Sequence, residues 1–237
     1  MSITDLSQLQ RVFAGDFLAE PMVLQEKLLK VKAYVFDWDG VFNNGTKDAS
    51  GSSPFNEVDS MGVNMLRFNH YLRKGTNPVT AVITGEHNNA AFTLARREHF
   101  HCVYYGIRSK REALVHLCQA YSIEPHDVAY FFDDILDLSI AEICGLRMMV
   151  GRAGSPLLRA LVHKNKLADY ITAADGGNNA LRESAELLIG LSGQYDDTIL
   201  QRVHNSALYR EYLQDRNIPM PSFYTSFDSI ITEQPTQ

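Results

Sequence analysis

Short apolar runs recur along the chain at 33–36, 79–83, 102–105, 128–132 and 146–150, with a weaker one at 169–172. Between most of them lie stretches with apolar residues at helical spacing: 61–73, 87–99, 109–121, 137–144 and 155–165. Continuous apolar runs of this length predict strands buried on both faces. Strands that alternate with helices predict a parallel sheet with helices on both sides, an α/β fold. In such sheets the ligand crevice lies beyond the carboxyl ends of the strands.

Ahead of this rhythm, Leu9, Val12, Phe13, Phe17, Val23, Leu24, Leu28 and Leu29 are spaced for one or two amphipathic helices broken at Pro21. The interval 43–58 interrupts the alternation. Asn43-Asn44-Gly45 and Ala49-Ser50-Gly51-Ser52-Ser53-Pro54 are turn-rich and predict a small hairpin or flap. A closing helix is expected over 179–192 and another over 196–213, followed by a loose tail. The expected organisation is an N-terminal helical extension at 1–30, a core at 31–192 and a C-terminal helical extension at 193–237.

Composition narrows the function classes. The chain has 237 residues, is 45% hydrophobic and carries a net charge of −6, so it holds enough apolar matter for a full core and has no nucleic-acid footprint. Three cysteines, Cys102, Cys118 and Cys144, show no CxxC spacing, which suits a reducing compartment. No apolar stretch approaches the ~18 residues of a membrane span, and no signal segment opens the chain. A cytoplasmic protein without membrane or nucleic-acid partners is expected.

The strand ends carry the chemistry. The first gives Asp37 and Asp39 followed by Gly40, the second Thr84-Gly85; Lys110 opens a helix past the third, and the fourth gives Asp133, Asp134 and, one turn on, Asp137. Each feature alone also suits a cap, a turn or a solvated lysine. Together they are complementary. Carboxylates converging from two strands suit a hard dication such as Mg²⁺. A cation, a hydroxyl and a backbone N–H suit the phosphoryl group such a metal would help neutralise.

Asp37-x-Asp39-Gly40-Val41, Ile83-Thr84-Gly85, Lys110 and Asp133-Asp134-x-x-Asp137 resemble the four signatures of the haloacid dehalogenase (HAD) superfamily of phosphatases, over about residues 31–190. The 39–45 segment, Phe55-Asn56 with Asp59-x-x-Gly62-Val63, and Gly176-Gly177-x-x-Ala180-Leu181-Arg182-Glu183 resemble its capless branch that contains 3-deoxy-D-manno-octulosonate 8-phosphate phosphatase. The resemblance implies a Rossmann-like HAD fold with a β-hairpin flap, and hydrolysis of a phosphorylated sugar acid or sugar. It implies Asp37 as nucleophile and Asp39 as general acid and base. Mg²⁺ would be held by Asp37, Asp133 and the Asp39 carbonyl, with Asp134 and Asp137 in support. Thr84, Gly85 and Lys110 would hold the phosphoryl group, and the assembly would be a homotetramer. The second aspartate speaks against a halide-releasing enzyme, whose leaving group needs no proton.

Three departures bear on this. Phe132 stands where the pattern has glycine, and strand alternation directs it under the sheet. Glu86 and Asn178 stand where the sugar-acid phosphatases commonly carry arginines, which weakens the substrate assignment. Asp59, Arg108 and Arg182 are the candidate substrate contacts that remain. Trp38 is expected as a core or interface anchor, and His99, His101 and Cys102 as structural residues. A non-catalytic relative that binds a partner is the alternative from another class.

Overall fold

The computed structural model describes residues 6–228 and 230–235. The chain opens with α1 (Leu6–Val12), β1 (Asp16–Phe17) and α2 (Pro21–Lys30). The alternating body follows as β2 (Ala33–Phe36), α3 (Glu57–Lys74), β3 (Val79–Ile83), α4 (Asn89–Arg97), β4 (Cys102–Tyr104) and α5 (Lys110–Ala120). It continues through β5 (Val128–Phe132), α6 (Leu138–Ala141), β6 (Leu146–Gly151), α7 (Pro156–Asn165), β7 (Tyr170–Asp175) and α8 (Ala180–Leu191). The chain closes with α9 (Tyr195–Val203), α10 (Ala207–Arg216), β8 (Ser222–Phe227) and β9 (Ile230–Gln234).

Among the described residues, nine strands form one sheet in the order β1-β7-β6-β5-β2-β3-β4-β8-β9. From β7 to β8 every neighbouring pair is parallel, and only β1 and β9 at the two edges run antiparallel. The central strands explain their own apolar runs. Tyr34 and Phe36 face one core with α2, α3, α4 and α8, while Ala33 and Val35 face the other with α5, α6 and α7. A strand covered on both sides has no polar face to alternate with, so its sequence reads as a continuous apolar run. Helix ends are set locally: Asn56 caps α3 by accepting from the Val58 amide, and Gly75 closes it in the left-handed region.

β2 is the switch point. Its two neighbours, β3 and β5, follow it in opposite directions across the sheet, so the crossing helices leave on different faces and a crevice opens at the carboxyl ends.

Three expectations are corrected. The interval 43–56 is an irregular loop, not a hairpin. Side-chain bonds to backbone amides compete there with strand pairing: Asp48 accepts from Ser50 and Ser52, Asn43 from Gly45, and Asn44 from Thr46. The helix expected over 196–213 is two helices, α9 and α10, with Asn205 at positive φ between them. The tail expected to be loose forms β8 and β9, which extend the sheet beyond β4; residues 236–237 lie outside the described residues.

Trp38 anchors the 43–56 loop from inside. It is fully buried, stacks on Phe42 (4.8 Å between ring centroids), meets Phe55 edge-on and donates its indole N–H to the Ser53 carbonyl (3.2 Å). An aromatic residue of this size contributes more by burial than any hydrogen bond in the loop.

Candidate active site

Asp37 directly follows β2, and its amide donates to the Phe131 carbonyl of β5 (2.9 Å), which fixes it beside the end of that strand. Gly40 then turns the chain at φ 84°. A side chain there would collide with the Asp133 carboxylate and the Arg152 guanidinium, so both steric room and backbone sign demand glycine. Asn43 ties this turn, donating to the Trp38 carbonyl and accepting from Gly40 and Gly45.

A cavity of about 250 Å³ at these strand ends is lined by Asp37, Asp39, Thr84, Gly85, Lys110 and Asp133, together with Gly45, Glu86, Asp134, Leu136, Asp137 and Arg152. All the residues expected to bind metal and phosphate are thus brought together. The three candidate substrate contacts are not among the lining. Asp59 is buried on α3, where its carboxylate accepts from the Arg182 amide (2.9 Å) at the start of α8. Arg182 itself pairs with Glu186 (2.7 Å), and Arg108 is exposed on the connection between β4 and α5.

Lys110 is the electrostatic hinge. Its buried ammonium donates to Asp37 (2.6 Å) and Asp137 (2.5 Å). Burial alone would depress its pKa, yet the two carboxylates outweigh burial and raise it, so it stays charged. Asp137 is fully engaged, accepting also from the Tyr130 hydroxyl (2.5 Å) and the Asp134 amide (3.2 Å). It therefore places Lys110. Asp134 caps the turn that follows β5, accepting from the Ile135 amide (2.8 Å).

Three buried carboxylates against one lysine leave surplus negative charge. Burial, with Asp137 and Asp134 adding to it and Arg152 opposing, pushes Asp133 up to about 7; burial and the Asp137 charge likewise raise Asp37. Asp37, Asp133 and Asp137 offer oxygens all within 4.8 Å of one another. Asp133 Oδ1 is buried and, among the described residues, without a hydrogen-bond partner. A carboxylate oxygen left in that condition is costly unless a cation meets it. The donor set, all oxygen and surplus in charge, fits a hard dication.

Four contributors were not foreseen. Arg152, just past the end of β6, pairs with Asp133. Lys47 donates to Asp39 (2.9 Å) and Ser53 does so at 2.5 Å, both from the 43–56 loop. Tyr130 points under the sheet toward Asp137, with Phe132 stacked on it (5.5 Å), so the departure at 132 is absorbed by the core as strand alternation directs. Trp38 is likewise core. His101 accepts from the Thr80 amide, and His99 contacts the Pro219 carbonyl.

The chain's fold is similar to that of HAD-type hydrolases and phosphatases of known structure. Its homologues are 3-deoxy-D-manno-octulosonate 8-phosphate phosphatases. The Escherichia coli K12 enzyme is 28% identical over 176 residues, covering 72% of this chain and 86% of that enzyme. The Salmonella typhi enzyme is 28% identical over 175 residues, with the same coverage. Among solved structures, the Moraxella catarrhalis 3-deoxy-D-manno-octulosonate 8-phosphate phosphatase, in complex with a magnesium ion, a phosphate ion and KDO, superposes with a TM-score of 0.62. It is 25% identical, covering 76% of this chain and 97% of that one. A Legionella pneumophila hydrolase of HAD subfamily III A gives 0.64 at 26% identity, covering 78% and 96%. No protein-family model matches the chain. Among the described residues no helix is long and apolar enough to cross a membrane.

Proposed function

We propose that the chain is a Mg²⁺-dependent phosphatase that hydrolyses a small sugar phosphate or sugar-acid phosphate through an aspartyl-phosphate on Asp37. The observation that carries this is the pairing of Asp37 with Lys110 in one cavity with the unpartnered Asp133 Oδ1. Core residues 31–192 would hold the chemistry, flanked by the two extensions.

Asp37 and Asp133, with the Asp39 carbonyl, would hold the metal, which supplies charge to the phosphoryl oxygens. Lys110, the Thr84 hydroxyl and Gly85 face the phosphoryl group, while the Thr84 amide is taken by the Tyr104 carbonyl (2.8 Å). An Asp37 oxygen attacks phosphorus as the ester bond breaks, and Asp39 gives its proton to the departing alkoxide. Asp39 then takes a proton from the water that attacks the aspartyl-phosphate, which releases phosphate, returns Asp37 to a carboxylate and restores Asp39 as an acid. Lys47 and Ser53 fix the Asp39 carboxylate, so the loop sets the aim of the proton donor.

Phosphate release from a panel of phosphorylated sugars and sugar acids, with and without Mg²⁺, tests this. Turnover that requires Mg²⁺ and is lost in Asp37→Asn is expected, as is an acid-stable phosphoenzyme band absent from that variant. A second function rests on the cations already seated on Asp39 and Asp133: a binding or regulatory protein that turns over no member of the panel. The three buried thiols support a cytoplasmic location. Ile135 and Leu136, 66% and 75% exposed beside the cavity, support an oligomer that covers them. A homotetramer is expected by light scattering.

A further inference from the structure

Arg152 is absent from the four signatures, yet it stands where they converge. β6 lies next to β5, so the end of β6 delivers its first polar side chain beside the end of β5, which is Asp133. Gly151 makes the placement possible. A side chain there would strike the Thr172 carbonyl, and its amide is held by the Thr172 hydroxyl (2.9 Å). The register between β6 and β7 shifts at this point, which re-aims the strand end. The guanidinium then crosses above Gly40 to Asp133 Oδ2 and lines the cavity shared by Thr84, Gly85 and Lys110.

Two roles compete for such an arginine. As a neighbour of a metal ligand it orients the carboxylate, and removing such partners typically weakens metal binding by about 10–100-fold. As a cation on the same carboxylate it also repels a dication, across a contact in which the carboxylate is buried and the guanidinium is partly screened by solvent. The charge count decides. Fully ionised, as a bound dication would require, Asp37, Asp133 and Asp137 carry three negative charges against the two of Lys110 and Arg152. Burial at the strand end, with Gly40 packed against it, leaves the Asp133 carboxylate little room to turn, although Arg152 is its hydrogen-bond partner. What Arg152 adds is positive charge, and a guanidinium is charged at every working pH.

We propose that Arg152 antagonises the dication at Asp133 and serves as a second cation for the phosphoryl group, so that it weakens metal binding while strengthening anion binding. This rests on the metal-dependent phosphatase function proposed above. A fork of donors that leaves a carboxylate for a phosphoryl oxygen keeps its hydrogen bonds, since both acceptors fit its geometry. Its side chain is 39% exposed, so it has room to make that move.

Calorimetric titration of the full-length protein with MgCl₂, then with inorganic phosphate at saturating Mg²⁺, tests the proposal. Arg152→Gln is expected to bind Mg²⁺ about 10-fold tighter and phosphate about 10-fold weaker than the parent chain. Arg152→Lys keeps the charge and should bind Mg²⁺ as the parent does. Weaker Mg²⁺ binding in Arg152→Gln overturns the proposal in favour of a carboxylate-orienting role. Unchanged phosphate binding overturns it too. Asp133→Asn separates the two levels: if the parent binds no Mg²⁺, or binds it as well as Asp133→Asn does, the metal assignment itself fails before Arg152 is at issue.

Discussion

Two of the ionic clusters in this molecule differ in one respect that decides their use. At the strand ends, Asp37, Asp133 and Asp137 outnumber Lys110 and Arg152, and a carboxylate oxygen beside a cavity lacks a partner. At the far side of α3, Glu98 is gripped by Arg97 (2.8 Å), Arg216 (2.8 Å) and Asn64 (2.8 Å), while Arg97 reaches Glu57. Arg67 beneath them is fully buried, donates to the Glu98 and His99 carbonyls and lies 5.3 Å from the Phe100 ring. That knot joins α3, α4 and α10. Its carboxylates are satisfied by cations of the chain, so it welds elements. The strand-end cluster carries a negative surplus, so it is poised for something the chain does not contain. Buried charge marks a site when a surplus carboxylate is left over beside a cavity.

The sharpest way to break this contrast is to remove charge from each cluster in turn. Asp37→Asn should lower turnover by roughly 10⁴-fold or more, as loss of a covalent nucleophile does. It should also leave the melting temperature unchanged or raised, because it relieves like-charge repulsion. A fall in melting temperature with activity retained would reverse the roles of the two clusters. Arg67→Met should do the opposite. Removing one member of a buried, hydrogen-bonded charge network costs about 3–5 kcal/mol, which for a chain of this size lowers the melting temperature by roughly 10 °C. Turnover of the protein that remains folded should stay near the parent value. Thermal denaturation and phosphate release on the same preparations decide both.

How far each cluster could be read from the sequence follows from how it is built. Asp37, Thr84 and Asp133 stand at the ends of strands that are apolar throughout, so the runs that reveal β2, β3 and β5 also point to them. Lys110 and Asp137 came with the helix and turn beyond. Arg152 was missed although the run at 146–150 was read, because a lone arginine after a strand is ordinarily solvated. Only the sheet order, with β6 beside β5, gives it a partner. Lys47 and Ser53 were missed because a loop has no period to read. The last two strands, β8 and β9, were missed for another reason. Ser222-Phe223-Tyr224-Thr225 mixes polar and aromatic residues on a half-covered strand, and its burial is mostly partial. The helical periodicity before it also runs on through Asn205, where the backbone turns to positive φ.

Acidity separates the clusters in sign. Asp133 is pushed up to about 7 from the carboxylate value of 3.8. A carboxyl with a raised folded pKa binds its proton more tightly in the native state. Its stabilising contribution is complete below pH 3.8 and disappears as the pH rises through about 7. A dication that replaces the proton restores it. Added MgCl₂ should therefore raise the melting temperature more at pH 8 than at pH 5, and Asp133→Asn should abolish the difference. An equal shift at both values would mean that Mg²⁺ acts elsewhere on the protein.

At the knot the sign is opposite, and the effect is smaller. Burial and the charge of Arg67 lower His101 to about 4, while its Nδ1 accepts from the Thr80 amide (3.1 Å) and so must stay unprotonated. The unfolded chain takes up a proton near pH 6.5 and the native state resists it. The contribution is thus complete above pH 6.5 and is lost as the pH falls through about 4, at a slope of up to ~1.4 kcal/mol per pH unit. His101→Gln keeps an acceptor for Thr80 but has nothing to titrate. In urea unfolding between pH 7 and pH 4, the parent chain should lose stability more steeply than this variant. If the two slopes coincide, His101 is not neutral in the folded state, and the Arg67 charge does not reach it as the knot requires.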